Sequence, residues 1–442
     1  MSKAPYAAAH AAILHKAMQQ HAAGRLEEAR VQYTRLLNAA PRNPDALHMM
    51  GVLEAQLGRH ARADELIGRA IAVHPNEAMF HNNLGNVHMQ AQQFDEAQAR
   101  YRRALALAPD RADVLNNLGV LLSRRGAPDE AQAMLQRAVE IAPDFADACQ
   151  NLAHHHLRQG HLEEALEVCM RALIVAPRDA TLRRVLGKVH ISQGMREEAA
   201  ALYRTWLEDE PGSNEARYHL QACTGEDVPE RAPDPYVEEI FDRFASSFDA
   251  RLASLGYRAP ELVAQAVRER GPAPARQLDV IDAGCGTGLC APLLQPWSRR
   301  LVGVDLSQGM LHKANERGLY DELVHAELVA FLGTRPAACD LLVSADTLCY
   351  FGALEAFAAA AQAALRAEGL LVFTVEAHDD ADGAPDFLLQ GHGRYSHRQA
   401  YVDAALRSAG FVAVDLKPVV LRMEASLPVN GWLVSAQAAP TA

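Results

Sequence analysis

The chain is 442 residues long, too long for a single hydrophobic core, so length alone asks for at least two domains. A net charge of −12 at pH 7 excludes a general nucleic-acid binder, which needs a basic footprint. Seven cysteines, odd in number and with no C-x-x-C pair, exclude a disulfide framework and a zinc finger; no apolar run is long enough to span a bilayer, and reduced thiols in a cytoplasmic protein are the expectation.

Residues 1–9 read as an N-terminal extension, and a fixed period then governs residues 10–213. Pro41, Pro75, Pro109, Pro143, Pro177 and Pro211 stand 34 residues apart. Twelve residues before each is an alanine, from Ala29 to Ala199. Twenty-four before each is a small residue: Ala17, Gly51, Gly85, Gly119, Ala153 and Gly187. Between these lie Gly24, Gly58, Gly126, Gly160 and Gly194, with Gln92 as the exception. Small residues let two helices approach, a glycine turns the chain between them, and a proline ends the second helix because it has no N–H to donate. The spacing predicts six helix pairs, at 10–43, 44–77, 78–111, 112–145, 146–179 and 180–213, with a capping helix that ends the array at residue 221. This pattern resembles the tetratricopeptide repeat, which implies an all-α superhelix with a concave binding groove.

The groove has a pattern of its own. Asn83, Asn117 and Asn151 recur at the sixth position of three successive repeats, preceded by Asn82, Asn116 and Gln150. An amide side chain offers a donor and an acceptor, so a ladder of them can grip an extended peptide backbone. HNNLGN and LNNLGV resemble the repeats of the O-linked N-acetylglucosamine transferase family, where such a ladder holds peptides. The bland alternative is a solvated polar face. Arg124, Arg158, Arg184 and Lys188 are expected to face the groove in its later repeats, which fits an acidic segment or a carboxylate terminus. His154–His156 cannot share a metal ion, because consecutive helix positions point three ways; no metal is expected.

Residues 222–235 (ACTGEDVPERAPDP) read as a linker, short enough to keep its neighbours close. The rest, 236–442, changes character. Helical periodicity from Tyr236 gives way to strands alternating with helices, with strands expected at Leu278–Asp282, Leu301–Asp305, Leu323–Ala326, Leu341–Ala345 and Leu370–Glu376. That order predicts an open, doubly wound α/β sheet with ligands at the carboxyl ends of its strands. The fold class is thus α plus α/β. The loop after the first strand reads D-A-G-C-G-T-G, with Gly284, Gly286 and Gly288 beside Asp282 and Cys285. Position 289 is leucine, so the nicotinamide fingerprint is incomplete. Asp305 ends the second strand, where a carboxylate can take both hydroxyls of a ribose.

Together these features resemble motif I and the acidic residue of motif II in the class I, Rossmann-like S-adenosylmethionine-dependent methyltransferases. The helical segment FDRFASSFDARLASLGYRAPEL and the GRYSH stretch resemble the bacterial members that carry tetratricopeptide repeats. The resemblance implies S-adenosylmethionine as cofactor. It implies that the three glycines and Cys285 pass under the methionine part, with Asp282 near its ammonium group. Asp305 would hold the ribose, Leu306 and Met310 would flank the adenine, and Glu327 would meet the adenine amino group. Near the acceptor, Asp346, Tyr350 and His397 are the candidate catalytic side chains, with His378, His392 and Tyr395 as further polar neighbours. The polar segment 376–397 is either an acceptor lid or a surface loop. Three readings stay open: a protein or peptide methyltransferase whose repeats recruit the substrate, a small-molecule methyltransferase whose repeats dock a partner, and a non-catalytic scaffold. The acceptor atom and the oligomeric state are outside what the residues say.

Overall fold

The computed structural model describes residues 4–378, 383–424 and 427–440. The chain forms two compact units, one ending at Leu186 and one beginning at Gly187.

The first unit is a stack of antiparallel helix pairs: Ala4–Ala22 with Leu26–Ala39, Pro44–Gln56 with His60–Val73, Ala78–Gln90 with Phe94–Leu107, Ala112–Arg124 with Pro128–Ile141, and Ala146–Gln159 with Leu162–Val175. The first helix starts at Ala4, ahead of the repeat register, because APYAAAH is itself rich in the best helix former. The small residues have the packing role the spacing asks for. A Cβ built on Gly85 would stand 2.5 Å from Tyr101, and one on Gly119 would stand 2.7 Å from Leu135. Each glycine therefore makes room for a large residue sixteen positions on, in the second helix of its own pair. The turn glycines Gly24, Gly58, Gly126 and Gly160 hold φ between 72° and 78°, and exposed Gln92 is forced into the same left-handed region at φ 59°.

The asparagine series is built into this stack. Asn117 Nδ2 donates to Asn82 Oδ1 at 3.0 Å, and Asn151 Nδ2 donates to Asn116 Oδ1 at 2.8 Å. Asn83 Nδ2 donates at 2.8 Å to Nε2 of His48, whose ring burial pushes down to about 4 and so keeps it neutral. Each sixth-position amide thus reaches the fifth position of the preceding repeat. His154 is half-buried while His155 and His156 are buried, the latter two with ring centroids 6.0 Å apart.

The second unit opens with the helices Arg196–Asp209 and Asn214–Thr224, then Asp234–Phe244, Phe248–Ser254 and Ala259–Arg270. Its sheet comprises β1 (Leu278–Ala283), β2 (Ser298–Asp305), β3 (Glu322–His325), β4 (Cys339–Ser344), β5 (Leu365–Ala377), β6 (Phe387–Leu389), β7 (Tyr395–His397), β8 (Phe411–Glu424) and β9 (Leu427–Ala438). The parallel core runs β3-β2-β1-β4-β5, β9 lies antiparallel against β5, and β8 pairs outside β9. Side chains of β1 alternate between two cores, with Ile281 and Ala283 on one face and Val280 on the other. Burial on both faces explains why these strands read as unbroken apolar runs. The short hairpin β6–β7 was legible only as a polar loop. Glu376 pairs with Gly431 of β9 on one side and with Ser396 of β7 on the other, so the hairpin stands beyond the carboxyl end of β4. Part of the expected lid, residues 379–382, lies outside the described residues.

The expected linker is anchored. The cap helix continues to Thr224, and the next helix begins at Asp234. Between them, Ala232 N donates to Tyr350 O at 2.8 Å, Gly352 N donates to Glu230 O at 2.7 Å, and Tyr395 Oη donates to Pro229 O at 2.5 Å. Tyr218 of the cap helix packs on Tyr236 with ring centroids 4.3 Å apart. The helix expected directly after Gly288 is only Ala291–Leu294.

Candidate functional site

The carboxyl ends of β1, β2 and β4 meet at the glycine loop. Gly284, Gly286 and Gly288 have φ of 75°, 54° and 83°, a region that side chains rarely occupy. Gly284 has a second constraint. A Cβ there would lie 2.2 Å from Thr347 Oγ1, and that hydroxyl donates to the Gly284 carbonyl at 3.1 Å. Asp305 ties the loop to the second strand: Oδ2 accepts from Gly286 N and Oδ1 from Ser307 N, each at 2.8 Å. Burial pushes the Asp305 carboxyl up, and those backbone donors oppose the shift.

Asp282 is buried at 1% exposure. Its Oδ2 accepts from Tyr320 Oη at 2.6 Å, and its Oδ1 has no partner. Burial first, then the neighbouring charge of Asp305, lift its carboxyl to about 7, while the Tyr320 hydroxyl pulls it down. A buried carboxylate oxygen with no donor is costly unless a ligand supplies one. The loop, the free Asp282 Oδ1 and the Asp305 carboxylate therefore fit a ligand with a cationic group at one end and vicinal hydroxyls at the other, as S-adenosylmethionine has.

Helices ahead of β1 reach over this loop, and their role is not apparent from the residues alone. Asp242 Oδ1 accepts from Ser307 Oγ at 2.5 Å and from Gly309 N at 2.9 Å. Asp249 Oδ1 accepts from Thr287 Oγ1 at 2.5 Å, and Arg317 bonds both Asp249 and the Thr287 carbonyl. The twin Phe-Asp pairs, 241–242 and 248–249, were the available signal, one on each of two successive helices.

The other carry-overs fare differently. Leu306 is half-buried beside the loop, whereas Met310 is fully buried under its helix and presents no surface. Glu327 also caps the helix Leu328–Gly333, accepting from Val329 N at 3.0 Å and Ala330 N at 2.7 Å. Cys285 is buried, and burial raises its thiol well above the ordinary value.

On the acceptor side Asp346 follows β4 in a left-handed conformation, φ 57°. Its Oδ2 accepts from Arg422 Nη1 at 2.7 Å and its Oδ1 has no partner. Tyr350 stacks edge-on against Phe241 at 5.4 Å. His397 is a correction to the expected base. It is fully enclosed, lies parallel to Tyr401 at 6.1 Å, and spends Nε2 donating to the Gly352 carbonyl at 3.0 Å. Burial holds it down at about 4, so it is a packing element of the hairpin. His378 likewise bonds Ser396 and the Pro385 carbonyl. Asp346, Cys349 and Glu376 bring donor atoms within 4.8 Å of one another. Both carboxylates already bind Arg422, and burial pushes the Cys349 thiol well up, so a guanidinium fills the place a cation would take.

A glycine loop, a strand-end carboxylate and this sheet order define a Rossmann-like methyltransferase behind a helical repeat array. The methyltransferase-domain family model matches residues 281–373, and tetratricopeptide-repeat models match residues 20–85, 76–144, 124–189 and 156–222. Among curated relatives, methyltransferase-like protein 27 of Homo sapiens is 37% identical over 118 residues, covering 26% of this chain and 46% of that protein. The malonyl-[acyl-carrier protein] O-methyltransferase of Geobacter sulfurreducens is 30% identical over 194 residues, covering 41% of this chain and 71% of that protein. The solved Pseudomonas aeruginosa PilF structure aligns with 47% of this chain and 95% of its own at 20% identity and TM-score 0.42. The chain belongs to the class I S-adenosylmethionine-dependent methyltransferases that carry tetratricopeptide repeats. It spans about half the length of the human relative.

Proposed function

We propose that this protein transfers a methyl group from S-adenosylmethionine to a protein or peptide that the repeat groove recruits. One observation carries the cofactor assignment: three left-handed glycines lie between a buried carboxylate oxygen with no donor and a carboxylate at the end of the next strand. The cofactor supplies an electrophilic methyl on a sulfonium. Asp282 Oδ1 then has a cation to hold, Asp305 has two hydroxyls, and the glycines leave room beneath. The helices bearing Asp242 and Asp249 keep water from the loop. The rest of the task is alignment.

Recruitment by the repeats raises the local concentration of the acceptor at the catalytic domain. Asn83, Asn117 and Asn151 keep a carbonyl oxygen each for a peptide N–H, with Arg124, Arg158 and Lys188 further along. Their amide nitrogens, and the oxygens of Asn82 and Asn116, join neighbouring repeats, which favours a second reading: a small-molecule enzyme whose repeats dock a partner. No helix among the described residues is long and apolar enough to cross a membrane. Tritiated-methyl transfer into a bacterial lysate, resolved by size, separates the readings. Label in a macromolecular band, absent with Asp305→Ala, is the expected result. Label confined to small molecules would assign the repeats to docking alone.

A further inference from the structure

Beside the glycine loop is a closed network of five charged side chains drawn from four elements. Arg422 on β8 is 3% exposed, and its guanidinium bonds Asp346, Glu376 and Glu424. Arg394, just before β7, donates to Glu376 Oε1 at 2.5 Å and to Glu424 at 2.7 and 2.9 Å. Three carboxylates face two guanidiniums. His392, at the exposed rim of the network, brings Nε2 to 3.7 Å from Glu376 Oε2, and the neighbouring Arg394 charge disfavours its protonation. With His392 neutral and the three carboxylates ionised, the network carries one excess negative charge, and its least exposed members are Arg422 and Glu376. The guanidiniums satisfy Glu376 and Glu424, but Asp346 Oδ1 has no donor. Asp346 is also next in sequence to Thr347, whose hydroxyl touches Gly284 of the cofactor loop. Tyr350, four residues beyond Asp346, packs edge-on against Phe241 at 5.4 Å, and Phe241 against Phe248 at 6.0 Å.

Resting on the methyltransferase reading above, we infer that Asp346 Oδ1 faces the transferred methyl and that the acceptor is a primary amine. A negative site with an unsatisfied carboxylate oxygen repels a carboxylate and attracts an ammonium. The acceptor's ammonium gives one proton to Asp346 and becomes a neutral amine. The nitrogen lone pair then forms the N–C bond as the C–S bond breaks, its electron pair staying on sulfur. The product is a methylated ammonium and a thioether, and Asp346 returns its proton to water. Burial raises the Asp346 carboxyl while Arg422 opposes the shift. This differs from the O-methylation in the name of the Geobacter relative.

The test needs no known substrate. The full chain is titrated calorimetrically with S-adenosylhomocysteine and with the cofactor analogue in which a CH–NH3+ unit replaces the methylated sulfonium. The analogue's amine sits where the methyl and the attacking nitrogen meet. The expected result is at least tenfold tighter binding of the amine analogue. Asp346→Asn, close to isosteric, should erase that difference and leave the thioether's affinity within twofold. Equal affinities in the parent protein, or a preference that survives Asp346→Asn, would overturn the inference. Failure of the parent chain to bind either nucleoside would instead overturn the methyltransferase reading. Any labelled protein band adds a chemical check: label recovered as a methylated amine supports the inference, and label released by mild base as methanol refutes it.

Discussion

Replacing Gly284 with alanine separates two demands that the glycine loop makes. The left-handed backbone alone costs an alanine about 1–2 kcal/mol, offset by roughly 0.4–1 kcal/mol because alanine restricts the unfolded chain. Gly286 carries only that cost, since the nearest atom to a Cβ there is 3.9 Å away. Gly284 adds a collision, with Thr347 Oγ1 at 2.2 Å and Cγ2 at 2.3 Å from the new carbon. Crowding of this kind costs about 1–3 kcal/mol more. Gly284→Ala is therefore expected to destabilise by about 2–4 kcal/mol and Gly286→Ala by about 1 kcal/mol. The readout is unusually local, because Trp206, Trp297 and Trp432 are the protein's three tryptophans and all belong to the second compact unit. Thermal unfolding followed by tryptophan emission should place the two variants roughly 4–8 °C apart for a unit of this size. Adding Thr347→Gly removes the colliding atoms, so the double variant should show a favourable coupling of about 1–3 kcal/mol. Equal melting of the two single variants, or no coupling with Thr347→Gly, would mean that the loop does not make the approach described.

Three further outcomes are expected. Gln92→Gly should stabilise the repeats by about 0.5–1 kcal/mol, since the other turns meet the same left-handed demand with glycine; far-ultraviolet melting of the full chain measures it. Asp305→Ala removes the acceptor of two backbone donors as well as the proposed ribose ligand, so cofactor affinity should fall by about 100-fold, or roughly 3 kcal/mol, in calorimetric titration. The carboxylate form of Asp282 is the one that binds an ammonium, and burial lifts that carboxyl to about 7, so cofactor affinity should rise with pH through about 7 and level off above. Asp282→Asn should flatten that profile, and a profile unchanged by the substitution would count against the assignment.

What the sequence discloses depends on how far its signals reach along the chain. The helix pairs were legible because each repeat satisfies its packing locally, as Gly85 does with Tyr101 sixteen residues on. The parallel strands were legible because both of their faces are buried. The glycine loop and its tie to the second strand were legible because the glycines, Asp282 and Asp305 fall within two adjacent strands. The acceptor side was not. Arg422 meets Asp346 across 76 residues and Arg394 meets Glu424 across 30, and no local spacing records such pairs. His397 misled because a histidine at a sheet edge reads the same whether its ring is open or closed over by Tyr401 and Gly352. The capping role of Glu327 was not legible, because a carboxylate after a strand reads the same whether or not it caps the next helix.

The anchored segment between Thr224 and Asp234 has a consequence for how such a protein can be recombined. A proline-rich stretch invites a cut, yet here a cut would sever Glu230 and Ala232 from the 350–353 turn and strip Tyr218 from Tyr236. The exchangeable cassette is therefore the catalytic domain together with its last helical hairpin. An array shortened or exchanged on the far side of that hairpin would leave the 350–353 turn and its anchors in place.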